Sequence, residues 1–324
     1  HWTARALLKE NKPAEALKIV EGVLPKAEKS PQLPQLLMDQ ADAAYEIADR
    51  RGDSVAMYAA VAERFPKDPS APQALYMAAF AALGQGQYDA AQKYAASFLE
   101  KYPQDALSLD VRHVAAESAL QLQQYPEAEA LFSQALEQNA NHPEAEVWKV
   151  RRGLALHLQK KHQEAIDALT PILEQLKTPA ALAEAHYLIG ASLAELGQFG
   201  PAIESLEAAI KADPKWRQAD DTLLVLAHAY NKSGKREQAI ATAKKLIAEF
   251  PKSRLMDQAH YRLAEYSYAA GDFETAAANY QVVLDSHKSS PLRPHALYGL
   301  GWSLLSRNQY ETAEKAFDQL VTEF

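Results

Sequence analysis

Three short stretches hold residue types that chemistry uses. "GQGQYD" at 84–89 has paired glycines of the kind that cradle a phosphate, and "SGK" at 233–235 ends like a nucleotide-binding loop. "KKHQEA" at 160–165 sets His162 between amines and a carboxylate, the partners a general base or a metal ligand would want. None completes its pattern. The first lacks the third glycine and the preceding strand of a dinucleotide loop, the second lacks the upstream glycine of a P-loop, and no HExxH occurs. The Asn231-Lys232-Ser233 triplet fits a glycosylation acceptor, but it sits at a helix end. The glutamates are spread along the chain and no convergent carboxylate pair can be read from them. We therefore assign no catalytic residue, no metal ligand and no cofactor, and the chain reads as a non-enzyme.

The elements that would carry such residues are helical. Apolar residues make up 48% and charged residues 23% of the 324, which is a globular balance rather than a disordered one. Only 12 glycines accompany abundant Ala, Leu, Gln, Glu and Lys, a helix-forming mixture. A formal charge of −8 argues against a nucleic-acid partner, because a phosphate footprint needs a basic stripe. The absence of cysteine removes disulfides, thiolate chemistry and Cys-ligated zinc, and names no compartment. No apolar run is long enough to span a bilayer, so no membrane insertion is expected from this segment.

A period organises the whole chain. Ala91, Ala128, Ala165, Ala202, Ala239, Ala276 and Ala313 follow one another every 37 residues. Three residues before each stands Tyr88, Tyr125, His162, Phe199, Arg236, Phe273 or Tyr310, and twelve before each stands Ala79, Ala116, Gly153, Gly190, Ala227, Ala264 or Gly301. Such a register is an internal repeat. It explains His162 as a substitute in an aromatic slot. It also explains His186 and His260, which occupy the same slot two repeats apart and could not close a metal site together.

Each repeat reads as two antiparallel helices. The small residue sits in the first helix, Gly86, Gly197, Gly234 and Gly271 mark the turn in four repeats, and the alanine sits in the second helix. Large residues four and seven positions after the alanine share its face. Prolines 103, 143, 214 and 251 follow the second helices, where a missing N–H does no harm. Gly or Ala at the crossing makes a hole, Tyr88 or Phe98 supplies a neighbouring knob, and each hairpin completes the next one's core. Before residue 72 the pattern loosens. Ala16 and Ala56 take the alanine slot, residues 4–24 read as a lone second helix, and residues 31–66 read as another hairpin.

A small residue, eleven others and then an alanine with an aromatic three before it resembles the tetratricopeptide repeat family, over about residues 72–324. That family repeats every 34 residues, so the three extra here are expected in the second helix or the loop after it. The resemblance implies an all-α, right-handed superhelical solenoid of antiparallel helix-turn-helix repeats, with irregular repeat-like helices over 1–71 and seven regular repeats over 72–324. We expect one continuous solenoid that is part of a longer chain. The wording "FPKSRLMDQAHYRLAEYSYAAGDFETAAANYQ" resembles bacterial cell-envelope members, such as the outer-membrane assembly lipoprotein and Tol–Pal coordinator types. It implies a periplasmic or envelope location, with the cytoplasm as the alternative.

In this architecture residues three before and one after the small residue project inward from the first helices, four apart on one face. They are Tyr76 and Phe80, His113 and Glu117, Val150 and Leu154, Tyr187 and Ala191, Leu224 and His228, Tyr261 and Glu265, Tyr298 and Trp302. Arg151 and Arg262 add positive charge beside them. Tyr and Trp offer large contact area at small entropy cost, as binding hot spots do. They can equally pack on the neighbouring repeat and set its pitch. Members that clamp the acidic tail of heat-shock chaperones present Lys and Asn on this face, so that ligand is not expected here.

The function expected from these residues is a protein-binding scaffold with a concave aromatic groove for a peptide or protein segment, formed by Tyr76, Phe80, His113, Glu117, Tyr187, His228, Tyr261, Arg262, Glu265, Tyr298 and Trp302. Two alternatives stay open: a structural module stacking through its ends, and a regulatory or targeting segment of a larger enzyme. The last helix ends in Phe317, Leu320, Val321 and Phe324 with no polar capping helix after it. Self-association through that helix is therefore a further expectation.

Overall fold

The computed structural model describes residues 1–324, as eighteen α-helices and three short 3₁₀ segments. They fall into two compact units, 1–159 and 160–324. The first unit holds α1 (Trp2–Lys9), α2 (Pro13–Val23), α3 (Leu33–Glu46), α4 (Arg51–Arg64), α5 (Ala71–Gly84), α6 (Tyr88–Lys101), α7 (Ser108–Gln121), α8 (Tyr125–Gln138) and α9 (Ala145–Leu158). The second holds α10 (His162–Leu169), α11 (Pro179–Glu195), α12 (Phe199–Ala212), α13 (Ala219–Lys232), α14 (Arg236–Glu249), α15 (Met256–Ala269), α16 (Phe273–Ser286), α17 (Arg293–Ser306) and α18 (Tyr310–Glu323). Within each unit consecutive helices pack on one another in chain order. The result is a solenoid of stacked helical hairpins.

The 37-residue period now has a structural composition. Two helices of 14 residues, a three-residue turn and a six-residue connection recur, as in α5–α6 followed by α7–α8. The turn is a Schellman motif. In α5–α6 the N–H of Gln87 donates to Ala82 O and that of Gly86 to Leu83 O, closing the helix through a left-handed residue. Gly86, Gly197, Gly234 and Gly271 take that left-handed conformation, and Gln123, Lys160 and Asn308 take it at the same register position. Those three lack glycine yet are bent the same way, because the hairpin demands it.

All seven alanines of the register are fully buried. In the two repeats whose small residue is Gly190 or Gly301, the hole is filled from a position other than those of Tyr88 and Phe98. A Cβ on Gly190 would meet Leu206 Cγ at 2.6 Å, and one on Gly301 would meet Phe317 Cε1 at 2.5 Å. The knob in these two repeats is thus the residue four after the alanine, whereas α6 has Ala95 at that position and buries Phe98 instead. The bulk of Leu206 or Phe317 needs a helix surface with no side chain, since overlap of two cores at van der Waals distance costs more than either gains. Phe98, Phe132, Leu206 and Leu246 are buried whole, worth about 1.5–3 kcal/mol each against exposure.

Three expectations need correction near irregular stretches. Residues 4–24 are two helices, not one. Asn11 adopts φ 58° between α1 and α2, and Lys12 N–H bonds Leu7 O, so this is a further Schellman turn with Pro13 opening α2. Ala56 does not occupy the alanine slot, because it is exposed; Ser54 does. Ser54 lies 37 residues before Ala91, is fully buried, and satisfies its hydroxyl by donating 2.7 Å to Arg51 O. Ser54 keeps the register by position and departs from it only by residue type. Finally, α10 has only eight residues and gives way to a 3₁₀ segment at Thr170–Gln175. Pro171 causes this, since it lacks an N–H and collides with the preceding turn.

Candidate functional site

The inner stripe divides into side chains held by packing and side chains that face a pocket. In the first unit Tyr76 and Phe80 lie 5.9 Å apart by ring centroid and Tyr45 stands 6.5 Å from Phe80, which stays 39% exposed, close to the 43% of Trp302 at the same register position. His113 is wedged between Phe132 and Trp148 at 6.1 and 6.4 Å. Burial holds its imidazole below the ordinary value, against the opposing pull of Glu117. Glu117 pairs with Arg151 at 3.0 Å, so neither contributes a free charge. Val150 is buried and Leu154 packs against the core around Phe132.

Tyr187, in the second unit, is half-buried against Trp216 at 5.4 Å, and its hydroxyl donates to Asp221 Oδ2. Burial raises the Tyr187 phenol and the Asp221 carboxyl alike, a sign that both ionisable groups sit away from water. Its work is done inside the stack. Ala191 is buried, and Leu224 packs beneath α15. His228 stands edge-on to Phe199 at 6.3 Å, its basicity lowered by burial and then by Arg262. Arg262 lies 5.9 Å from the Tyr261 ring and donates 2.7 Å to Glu265 Oε2.

The last two hairpins differ. Tyr261, Glu265 and Tyr268 of α15, Tyr280 of α16, and His295, Tyr298, Gly299 and Trp302 of α17 surround an open pocket of about 420 Å³. Tyr298 is 55% exposed and Trp302 43%, while Tyr261 is half-buried by Tyr280 and His295. Burial, then Glu265, pushes the Tyr261 hydroxyl up to about 12, and burial raises Tyr280 as well, so both stay protonated. Of the sequence candidates the structure brings together Tyr261, Glu265, Tyr298 and Trp302. Arg262 stands outside the lining, in an ion pair with Glu265 at 2.7 Å. Tyr268, Tyr280, His295 and Gly299 were missed. The signal for Gly299 was a second glycine two residues before the slot glycine: a Cβ there would collide with the Tyr280 ring.

A second pocket of about 420 Å³, in the first unit, is lined by Arg5, Asp42, Tyr45, Glu46, Tyr58 and their neighbours. Two of its polar side chains converge on a third. Arg5 donates 2.6 Å and Tyr58 2.7 Å to Asp42. No group of three or more histidine or acidic residues is placed to hold a metal ion.

Tetratricopeptide repeat family profiles match residues 73–105, 113–175, 193–263 and 261–324, well over half the chain. This chain belongs to the tetratricopeptide repeat family. Among solved structures it is similar to a tetratricopeptide repeat protein from Parabacteroides merdae, at 15% identity and a TM-score of 0.58, over 84% of this chain and 98% of that one. It is similar to a signal transduction ATPase with a tetratricopeptide repeat sensor from Pyrococcus horikoshii, at 13% identity and a TM-score of 0.67, covering 96% of this chain and 52% of that one. It is also similar to a Rap protein solved with Competence and Sporulation Factor, at 17% identity and a TM-score of 0.51, over 99% and 95%. At these identities the likeness is one of fold. No curated relative matches the sequence. Tetratricopeptide repeats commonly mediate protein–protein interaction and are generally non-catalytic scaffolds. No helix of this repeat array is long and apolar enough to cross a membrane.

Proposed function

We propose that this chain is a protein-binding scaffold that grips a peptide or protein segment at the pocket of its last two hairpins. One observation carries the reading. Tyr261, Tyr268, Tyr280, Tyr298 and Trp302 line one preformed cavity between α15 and α17, while Tyr187, at the same register position as Tyr261 and Tyr298, spends its ring on Trp216 and its hydroxyl on Asp221. A rigid surface already in shape loses little entropy on binding, and aromatic anchors in a pocket supply hot-spot energy. The Rap structure shows a related fold holding a factor, which fits this reading. The test is capture of partners from the native host by wild type and by a Tyr298→Ala/Trp302→Ala variant. Lost capture with an unchanged melt supports the groove. Unchanged capture removes it. Fractionation of the same host tests the envelope location proposed with it.

A second reading rests on α18. Val321 is 82% exposed, whereas Leu284, 37 residues earlier, is 7% exposed because α17 covers it. The same apolar position thus lies exposed on α18, a face on which a second copy could stack. Light scattering of wild type and Val321→Glu separates the readings: a wild-type dimer that the charge dissolves favours stacking.

A further inference from the structure

The pocket's own chemistry narrows what it can take, and this step rests on the scaffold reading above. Five rings, Tyr261, Tyr268, Tyr280, Tyr298 and Trp302, line one space together with His295, and the one carboxylate in the lining is Glu265. No Lys or Arg lines it. We propose that the pocket is an aromatic cage for a cationic side chain, the guanidinium or ammonium of a basic partner segment.

Three arguments converge. The face of an aromatic ring is electronegative, and several such faces around one space attract a cation while doing little for an anion. A carboxylate at the wall completes the neutralisation, whereas an apolar guest would strip water from Glu265 and return nothing to it. The molecule also contains a precedent. The Arg262 guanidinium lies over Tyr261 at 5.9 Å and on Glu265 at 2.7 Å, so this ring and this carboxylate already hold a cation at the pocket's edge. Arg262 competes for the charge a guest would use. The pair is partly exposed, so breaking it changes the fold's stability little.

The test uses the intact chain with Trp2→Phe, which removes the exposed indole of α1 and leaves Trp302 as the exposed reporter beside buried Trp148 and Trp216. Its emission is titrated with N-acetyl-arginine amide, N-acetyl-lysine amide, tetramethylammonium chloride and N-acetyl-leucine amide at constant ionic strength. Saturable change is expected with the three cations, at least about fivefold tighter than with the leucine amide. Glu265→Gln should weaken the cations about five- to tenfold, and Arg262→Gln should tighten them. A leucine amide that binds as well as the cations overturns the cage, as does no saturation up to about 100 mM or indifference to Glu265→Gln. Partner capture judges the scaffold separately. If capture depends on Tyr298 and Trp302 while cations fail, the cage alone falls.

Discussion

Gly301 of α17 lies under the ring of Phe317 of α18, so close that a Cβ would stand 2.5 Å from the ring's Cε1. Gly301→Ala should therefore cost about 1–3 kcal/mol, because the added methyl overlaps the Phe317 ring and must push it out of its seat on α17. Chemical denaturation measures it. Adding Phe317→Ala should cost less than the two single changes summed, by about 1 kcal/mol. Ala79 and Ala95 of α5 and α6 already occupy this slot pair as two small residues. Strict additivity would refute the nesting.

Gln123 occupies a left-handed turn position at φ 61° where four repeats use glycine. An L side chain there meets its own carbonyl, at about 1 kcal/mol. Gln123→Gly should raise stability by about that amount, partly offset by the unfolded chain's added freedom. Asn308→Gly should gain less, since asparagine tolerates the region. Gly86→Ala should lose stability. Thermal melts of the three variants decide.

Tyr187 donates its hydroxyl to Asp221 across two successive hairpins. Tyr187→Phe leaves a half-buried carboxylate short of a partner and should cost about 1–3 kcal/mol. Partner capture by this variant should match wild type. A loss of capture without a loss of stability would place Tyr187 in the groove instead.

His113, His186 and His228 are each held below the ordinary 6.5 by burial first. The folded chain thus prefers neutral rings, while unfolded histidines take up protons near 6.5, so the unfolded state binds more protons in acid. The stability they confer is complete above 6.5 and is lost as pH falls through that value toward the folded ones. Urea midpoints should drop more in wild type than in His113→Gln/His186→Gln/His228→Gln between about pH 7.5 and 5.5. Glu117, Glu144 and Asp110 oppose the shift at His113 and Arg151 adds to it; Arg262 and Lys232 add to it at His228, where Glu265 and Glu195 oppose it. Equal drops in both chains would show that these rings are not responsible.

Much of the fold was legible because a helical hairpin is a local object. Its contacts lie within one 37-residue period, so the spacing of Gly190, Ala202 and their counterparts recorded them directly. The sequence misled where one residue type was taken to define a slot. Ser54 fills the alanine position equally well once its hydroxyl has Arg51 O to bond, and Asn11 turns the chain as a glycine would. The stop at Pro171 was written in the sequence, but the surrounding period suggested a full-length helix.

The candidate site was legible only as a stripe. Periodicity by itself put Tyr76, Tyr187, Tyr261 and Tyr298 at one register position, and no property of that position separates them. Tertiary structure decided their fates. Tyr187 met Trp216 and Asp221, Tyr261 met Tyr280 and His295, and Tyr298 met a pocket and water. Sequence alone determined the repeating hairpin, since short-range spacing dictates short-range packing. Which aromatic stays free depends on the side chains that neighbouring hairpins bring against it, and only folding assembles those neighbours.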